Sequence, residues 1–381
     1  MVTSSERAAP GGVVRERWCD IRNRLLASPR FQRWAAGFPL TRRIAAHRAR
    51  SLFDVCAGFV YSQILLACVR LDLFSLLAGG PQETSELAER LQLSESAVER
   101  LLRAAETLGL VERRAGRRYG LGAQGAAMLG NPGIAAMVEH HSMLYRDLAD
   151  PVALLRGDGG STALARYWPY ASATQPSALT DERVAGYTAL MSASQAFVAG
   201  DVLDVYPLAS HRCLLDVGGG DGTFLSAVAA HWPHLRLMLF DLPPVAGRAR
   251  ERLEREGLGD RAQVFAGDVM RDPLPEGADV ISLVRVIHDH DDEAAVHILR
   301  AVHDRLPARG ALLLAEPMAG TPGAEPVGAA YFGFYLLAMG SGRPRTPAEI
   351  QMLLEAAGFA SARAVRTRRP MLTSLIVARR R

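Results

Sequence analysis

In the second half of the chain, apolar residues fall in short runs separated by longer helix-forming stretches. Cys213 to Val217, Leu235 to Phe240, Gln263 to Ala266, Ala278 to Leu283 and Ala311 to Ala315 each read as a buried strand. Strands that alternate with helices predict a parallel-rich sheet covered on both faces, an α/β domain over residues 211–381. The earlier pattern is different. Residues 130 to 210 carry helical spacing, interrupted at Gly157 to Gly160 and at Trp168-Pro169-Tyr170. From Leu71 to Leu129 the units shorten: a helix ending at Leu77, a Gly79-Gly80-Pro81 break, a helix from Thr84 to Leu91, and another capped by Ser94. Val98, Leu101, Leu102 and Ala105 share one face of that last helix, and a hairpin-like stretch ending at Tyr119-Gly120-Leu121 follows it. This predicts a winged helix-turn-helix within an all-helical domain over residues 51–210.

Residues 15 to 50 interleave arginines with Trp18, Ile21, Leu25, Leu26, Phe31, Trp34, Phe38, Leu40 and Ile44, the pattern of basic amphipathic helices. Such an arm, residues 1–50, suits an anionic membrane surface, packing on its own protein or a partner subunit, or, as a third reading, a transit peptide. The next run, Val55 to Val69, is 15 residues long between Asp54 and Arg70. That is short of the roughly 18 to 20 residues a bilayer crossing needs, so it reads as a buried helix.

Composition sharpens this division. The 381 residues carry 44 basic and 40 acidic side chains. Eleven of the arginines against three acids lie in residues 1–50, a net of +8, which leaves −4 for the remainder. The basic character belongs to an arm and not to the body, which weakens a nucleic-acid reading. The helix after Ser94 adds nothing to it, since Glu95, Glu99, Arg100, Arg103 and Glu106 form a mixed face. Cys19, Cys56, Cys68 and Cys213 form no C-x-x-C pair, and no cluster has metal-ligand spacing. No metal is expected, and reducing cytoplasm is the expected compartment.

The candidate chemistry lies at Leu214-Leu215-Asp216-Val217-Gly218-Gly219-Gly220-Asp221-Gly222-Thr223, a strand that passes through a glycine turn into a helix. Glycines let a ligand touch backbone, and a helix N-terminus offers free N–H groups. The dinucleotide pattern G-x-G-x-x-G is not met. Three acids mark strand ends: Asp216, then Asp241 in Phe240-Asp241-Leu242-Pro243, then Asp268 in Gly267-Asp268-Val269. Ligands of open α/β sheets bind at that edge, so the three acids are expected to face one crevice, with Asp241 placed to accept from a ribose diol.

With these motifs the chain resembles class I S-adenosylmethionine-dependent small-molecule O-methyltransferases of the caffeic acid and acetylserotonin type, from about Leu65 to Arg379. The resemblance implies a Rossmann-like methyltransferase domain behind a winged-helix dimerisation domain, and a homodimer. It implies that Asp216 with Gly218, Gly219, Gly220 and Gly222 holds the methionine end of S-adenosylmethionine (SAM), that Asp241 and Leu242 hold the ribose, and that Asp268 and Val269 read the adenine. Arg285 would lie along the cofactor. His288, in Arg285-Val286-Ile287-His288-Asp289-His290, resembles the catalytic base, and Glu316 the carboxylate that orients it. Tyr145, Tyr187, Met191, Phe332 and Met339 fall where the family lines its acceptor site. His290 replaces a tryptophan, while Met339 and Pro344 replace polar acceptor contacts, which argues for an apolar acceptor.

Within the family, Arg22 to Phe31 and Phe59 to Leu65 resemble the bacterial branch that methylates carotenoid hydroxyls. That implies a polyene alcohol as acceptor, a cytoplasmic enzyme and a peripheral place on the inner membrane. A polyketide or phenolic acceptor, or a winged-helix regulator, are the competing readings.

Overall fold

The computed structural model describes residues 10–158, 160–168, 181–371 and 373–381. The break expected at Pro169-Tyr170 lies outside the described residues. The chain divides into two compact units, Met1–Gly125 and Ala126–Arg381.

The first unit opens with three helices, α1 (Pro10–Ala27), α2 (Pro29–Gly37) and α3 (Arg42–Arg70). Ser28 caps α2 through its hydroxyl, with Pro29 in the first turn where no N–H is needed. The helix α4 (Leu73–Ala78) and the short strand β1 (Gln82–Glu83) follow, then α5 (Thr84–Leu91), α6 (Glu95–Thr107), β2 (Val111–Arg113) and β3 (Arg118–Leu121). Ser94 caps α6 by accepting from the Ala97 N–H, and Val98, Leu102 and Ala105 are buried, as the spacing predicts. The two antiparallel strands of the hairpin are joined by β1 in a three-stranded sheet of order β1-β3-β2, so this unit is helical with a small sheet and not all-helical.

The long apolar helix corrects another expectation. α3 has 29 residues, contains an 18-residue window of mean hydropathy 1.8, and buries only Leu66 and Cys68. The run from Val55 is therefore only partly covered within one protomer, with Val55, Phe59 and Val60 exposed. Hydrophobic periodicity reports that a face wants cover, not which chain supplies the cover.

The second unit begins with helices α7 (Ala123–Leu129, across the division), α8 (Pro132–Asp147), α9 (Pro151–Arg156), α10 (Ala163–Tyr167) and α11 (Asp181–Leu203). Then come β4 (Cys213–Val217), α12 (Thr223–His231), β5 (Arg236–Asp241), α13 (Pro243–Arg255), β6 (Ala262–Ala266), β7 (Val280–Val284), α14 (Asp292–Arg305) and β8 (Ala311–Glu316). A π-helical turn, Pro326–Phe332, leads into α15 (Gly333–Met339), followed by α16 (Pro347–Ala356), β9 (Ser361–Val365) and β10 (Ser374–Arg379).

The sheet order is β6-β5-β4-β7-β8-β10-β9. β6, β5, β4, β7 and β8 run parallel, while β10 is antiparallel to both β8 and β9. The five parallel strands match the apolar runs, and β4, β7 and β8 are buried throughout, as strands covered on both faces must be. Neither β9 nor β10 is among the expected strands: the Ser-Ala-Arg-Ala-Val of β9 has no continuous apolar run, whereas β10 carries one and belonged among them. From β4 the sheet grows one way through β5 and the other way through β7. That reversal opens a crevice at the carboxyl end of β4.

Candidate active site

The crevice has a volume of about 360 Å³ and is walled by the glycine turn, the ends of β5 and β7, the loop after β6 and part of α11. Four backbone features shape it. Gly218, Gly220 and Gly222 have φ of 68°, 61° and 84°, and the Gly218 N–H donates to the Phe240 carbonyl at 2.9 Å. Gly219 has ordinary φ but no room: a Cβ there would lie 2.8 Å from both Asp216 Oδ2 and Leu239. The turn can therefore present bare backbone to a ligand, and α12 begins behind it.

The three expected acids occupy different places. Asp241 and Asp268 stand on the crevice wall, whereas Asp216 is 1% exposed and lies behind the glycine turn. Asp216 Oδ1 accepts from Ser282 at 2.6 Å, and its Oδ2 is buried with no protein donor. Burial, opposed by Ser282, pushes its carboxyl up to about 7. Asp241 accepts from the Gly220 and Leu242 N–H groups at 2.8 and 2.7 Å, yet burial still raises it to about 6. Asp268 Oδ1 accepts from the Met270 N–H at 3.0 Å, which turns the chain so that Val269 and Met270 line the wall with Phe240, Leu242 and Val245.

The residues present fit SAM. Buried acids with spare acceptor capacity suit a cation bearing an amine and a diol, and the apolar walls suit a purine. The orphaned Asp216 Oδ2 is the kind of buried group that calls for a donor.

His288 sits in a 3₁₀ turn, Ile287–Asp289, just beyond β7 and is 7% exposed. Glu316, the last residue of β8, anchors it: its Oε2 accepts from the His288 backbone N–H at 3.1 Å and lies 3.5 Å from Nδ1, a charge contact without a hydrogen bond. Nε2 lies 3.0 Å from Asp289 Oδ1. Burial would lower the imidazole, but Asp289 and Glu316 outweigh it and push His288 up to about 10. Asp289, not His288, reaches the crevice wall.

Arg285 adopts a left-handed φ of 57° and lines the crevice. Its guanidinium donates to Ser194 Oγ at 2.8 Å, to the Met191 carbonyl at 2.9 Å and to Gln195, tying β7 to α11. Met191 is on the wall as expected. The side chain of Tyr187 lies outside the described residues. Phe332 packs its ring 5.9 Å from that of His288, while Tyr145 is half-buried on α8 and does not reach the crevice. Met339 is 1% exposed in a core cluster with Leu144, Leu164 and Trp168 instead of lining the crevice.

Sequence reasoning missed two groups. Ser192 donates to Asp221 Oδ2 at 2.7 Å, and Arg252 of α13 donates to the same oxygen at 2.7 Å, so the Asp of the glycine turn joins three elements. Arg345, fully buried, donates to the carbonyls of Ile287 and His290 at 2.9 and 2.7 Å and to Asp292 Oδ1. It clamps the turn that carries His288 from both sides. No motif marks it, since one arginine among 44 basic residues is silent until its partners are known.

Comparison with known proteins agrees with this geometry. Residues 145–360 match the O-methyltransferase domain family, and residues 53–131 match the O-methyltransferase dimerisation domain. The chain is 44% identical over 359 residues to a demethylspheroidene O-methyltransferase of Cereibacter sphaeroides, covering 93% of each chain. It is 43% identical to the protein of that name in Rhodobacter capsulatus, covering 94% of this chain and 88% of the other. Among solved structures, CalO1, a methyltransferase in calicheamicin biosynthesis with SAH bound, superposes with a TM-score of 0.74 at 26% identity, covering 88% of this chain and 99% of that one. The chain therefore belongs to the O-methyltransferase family, as a SAM-dependent enzyme that carries the family's dimerisation domain.

Proposed function

We propose that the enzyme methylates the hydroxyl of a long apolar polyene, a carotenoid alcohol of the demethylspheroidene kind, with His288 as the base. Near-full-length identity to two demethylspheroidene O-methyltransferases supports the acceptor class. The observation that carries it is the aromatic cluster packed beside His288. Phe332 meets Tyr331 and Tyr335 edge to face, and the two tyrosine hydroxyls are already bonded, to His141 at 2.7 Å and His140 at 2.8 Å. Burial lowers both histidines, His140 to about 4, so these pairs are neutral at physiological pH. Aromatic surroundings of the base whose polar atoms bond one another favour hydrocarbon over a polar ring.

SAM supplies an electrophilic methyl group. The protein's part is to orient the acceptor oxygen and take its proton. His288, pushed up to about 10, must first release the proton that Asp289 and Glu316 hold on it. A tertiary alcohol is far too weak an acid to ionise beforehand, so its proton then passes to the neutral His288 Nε2 as the new O–C bond forms. Glu316 remains at Nδ1 and steadies the resulting imidazolium. For this, the acceptor hydroxyl must take Asp289's place at Nε2. The Arg345 clamp keeps the turn fixed while that exchange occurs.

The same reading puts the enzyme in the cytoplasm, as a homodimer in peripheral contact with the membrane that dissolves its acceptor. The test offers the purified enzyme labelled SAM with detergent-dispersed demethylspheroidene, a hydroxylated naphthoate and a simple phenol, and identifies products by mass spectrometry. Methylation of the polyene alone, or far in excess, is expected. Transfer only to the aromatic hydroxyls would overturn the proposal.

A further inference from the structure

Residues 15–50 present an uncovered surface of unusual composition. Ten arginines and two acids fall in these 36 positions, and all ten arginines are exposed. Trp18, Ile21 and Leu25 of α1 are also exposed, and helical spacing puts the three on one face. Trp34 stacks on Phe38 at 5.0 Å with Phe31 at 5.6 Å, and Leu40, in the loop before α3, is 80% exposed. The Arg22 guanidinium lies 5.5 Å from the centre of the Trp18 ring, a cation placed directly beside an apolar anchor. Soluble monomers do not usually leave so many large apolar side chains of one short segment in water.

Two occupants compete for it, a second copy of this chain and a lipid surface. The exposed Phe53, Val55, Phe59 and Val60 of α3 fall inside the segment that matches the dimerisation domain, which begins at residue 53. They are accounted for by a second copy. The patch before residue 53 is not, and its charge argues against that occupant: a two-fold contact of the patch with itself would set +8 against +8. An anionic leaflet reverses the sign. Arginines meet phosphates, while Trp18, Trp34, Phe38 and Leu40 enter at the level of the headgroups.

We infer that α1, α2 and the first turns of α3 form a docking surface for an anionic lipid bilayer, next to but separate from the dimerisation segment. This deepens the preceding proposal and rests on it for its purpose, since an acceptor dissolved in membrane has to be met there. Binding itself is measurable without any acceptor.

The experiment sediments the full-length dimer with vesicles of phosphatidylcholine, with or without one third phosphatidylglycerol, at low and high salt. Partition onto the anionic vesicles is expected to exceed that onto neutral ones at least tenfold and to fall with salt. Trp18→Ser/Trp34→Ser/Leu40→Ser and Arg30→Glu/Arg33→Glu should each lose at least tenfold, while staying dimeric by light scattering. Equal binding to neutral vesicles, unchanged binding by the variants, or dissociation of the dimer with vesicle binding intact would each overturn the inference. Methyl transfer to a detergent-dispersed acceptor is read in parallel. Its absence in the wild type would sink the preceding proposal and leave this one to the vesicles, and its preservation in the variants shows that they are folded.

Discussion

The crevice at the carboxyl edge of the sheet and the surface of α1 and α2 are both apolar regions with charges set into them, yet they use those charges in opposite ways. At the crevice the charges are buried or half-buried and individually oriented: Asp216 is bonded to Ser282, Asp241 to two backbone amides, Arg285 to Ser194 and the Met191 carbonyl, and Glu316 to the His288 backbone N–H. On the arm they are arginines, exposed and numerous. Burial makes each charge costly, so every one must match a particular atom of a ligand or of the protein. Exposure makes each one cheap and screened, so only their sum can recognise anything, and what a sum recognises is a surface. Substitutions should therefore be severe and specific in the crevice, mild and cumulative on the arm.

The largest expected effect is at His288. His288→Ala should lower kcat by roughly 10²- to 10⁴-fold, the usual worth of a general base, with SAM affinity by calorimetry little changed. Unchanged turnover would mean that orientation alone suffices. The pH profile probes the same group. With His288 pushed up to about 10 by Asp289 and Glu316, the free enzyme holds that proton at neutral pH. The rise of kcat/KM with pH should therefore lie on the alkaline side of neutrality. Asp289→Asn removes one of the charges that raise the imidazole and should move that rise toward lower pH. A limb that stays in place would show that Asp289 does not govern the base.

Asp216→Asn should weaken SAM binding by about tenfold, through the glycine turn that Asp216 underlies and not by direct contact, since Asp216 is not on the crevice wall. It should also change stability in the opposite sense. Asp216 has its carboxyl raised from 3.8 to about 7, so its contribution to the free protein is fully present below the ordinary carboxylate range and is lost as pH rises through about 7. Asparagine has no proton to lose. Any constant cost of the buried amide aside, the melting curves of wild type and variant should converge below about pH 4, separate in the variant's favour as pH rises to about 7, and separate no further above that. A pH-independent difference would show that Asp216 is not strained in the free protein.

The crevice was also the more legible region in the sequence, for the same reason. Buried strands write continuous apolar runs, and an acid or a glycine at the end of such a run has few explanations, so β4 to β8, the glycine turn, Asp241 and Asp268 could be placed from the chain's own pattern, whereas His288 and Glu316 came from the family resemblance. What could not be read depends on partners distant in sequence. Arg345 acts on carbonyls 55 and 58 positions away, and Ser192 on Asp221, 29 positions away. β9 is polar enough to pass for loop, because it forms the sheet edge and only one side of it is paired. The exposure of α3 was misread because apolar periodicity is identical whether the cover is the same chain or another. Met339 was placed in the acceptor site by position in the family, and the local packing of α15 puts it in the core.

Arg345 tests whether buried charge acts through placement. Arg345→Met strips donors from the Ile287 and His290 carbonyls and should lower kcat by up to about 100-fold, the cost of misplacing a catalytic group by an ångström, while KM for SAM changes little. Arg345→Lys, which keeps the charge but not the planar fork, should restore part of that loss. If both variants lose only thermal stability, with kcat and the pH profile of the folded fraction intact, the clamp is structural and has no part in holding the base.

The smallest effects belong to the arm, and their smallness is the point. Arg30→Glu/Arg33→Glu exchanges exposed charges, and exposed charges contribute little to folding, so stability by denaturant titration should change by no more than about 0.5 kcal/mol. The same holds for Trp18→Ser, whose ring is 62% exposed and has little cover to lose. A fall of about 2 kcal/mol or more from either change would mean that the patch is packed against protein in solution, because only a covered side chain can cost that much. The arm would then follow the same rule as the crevice, and the contrast between oriented and summed charge would fail.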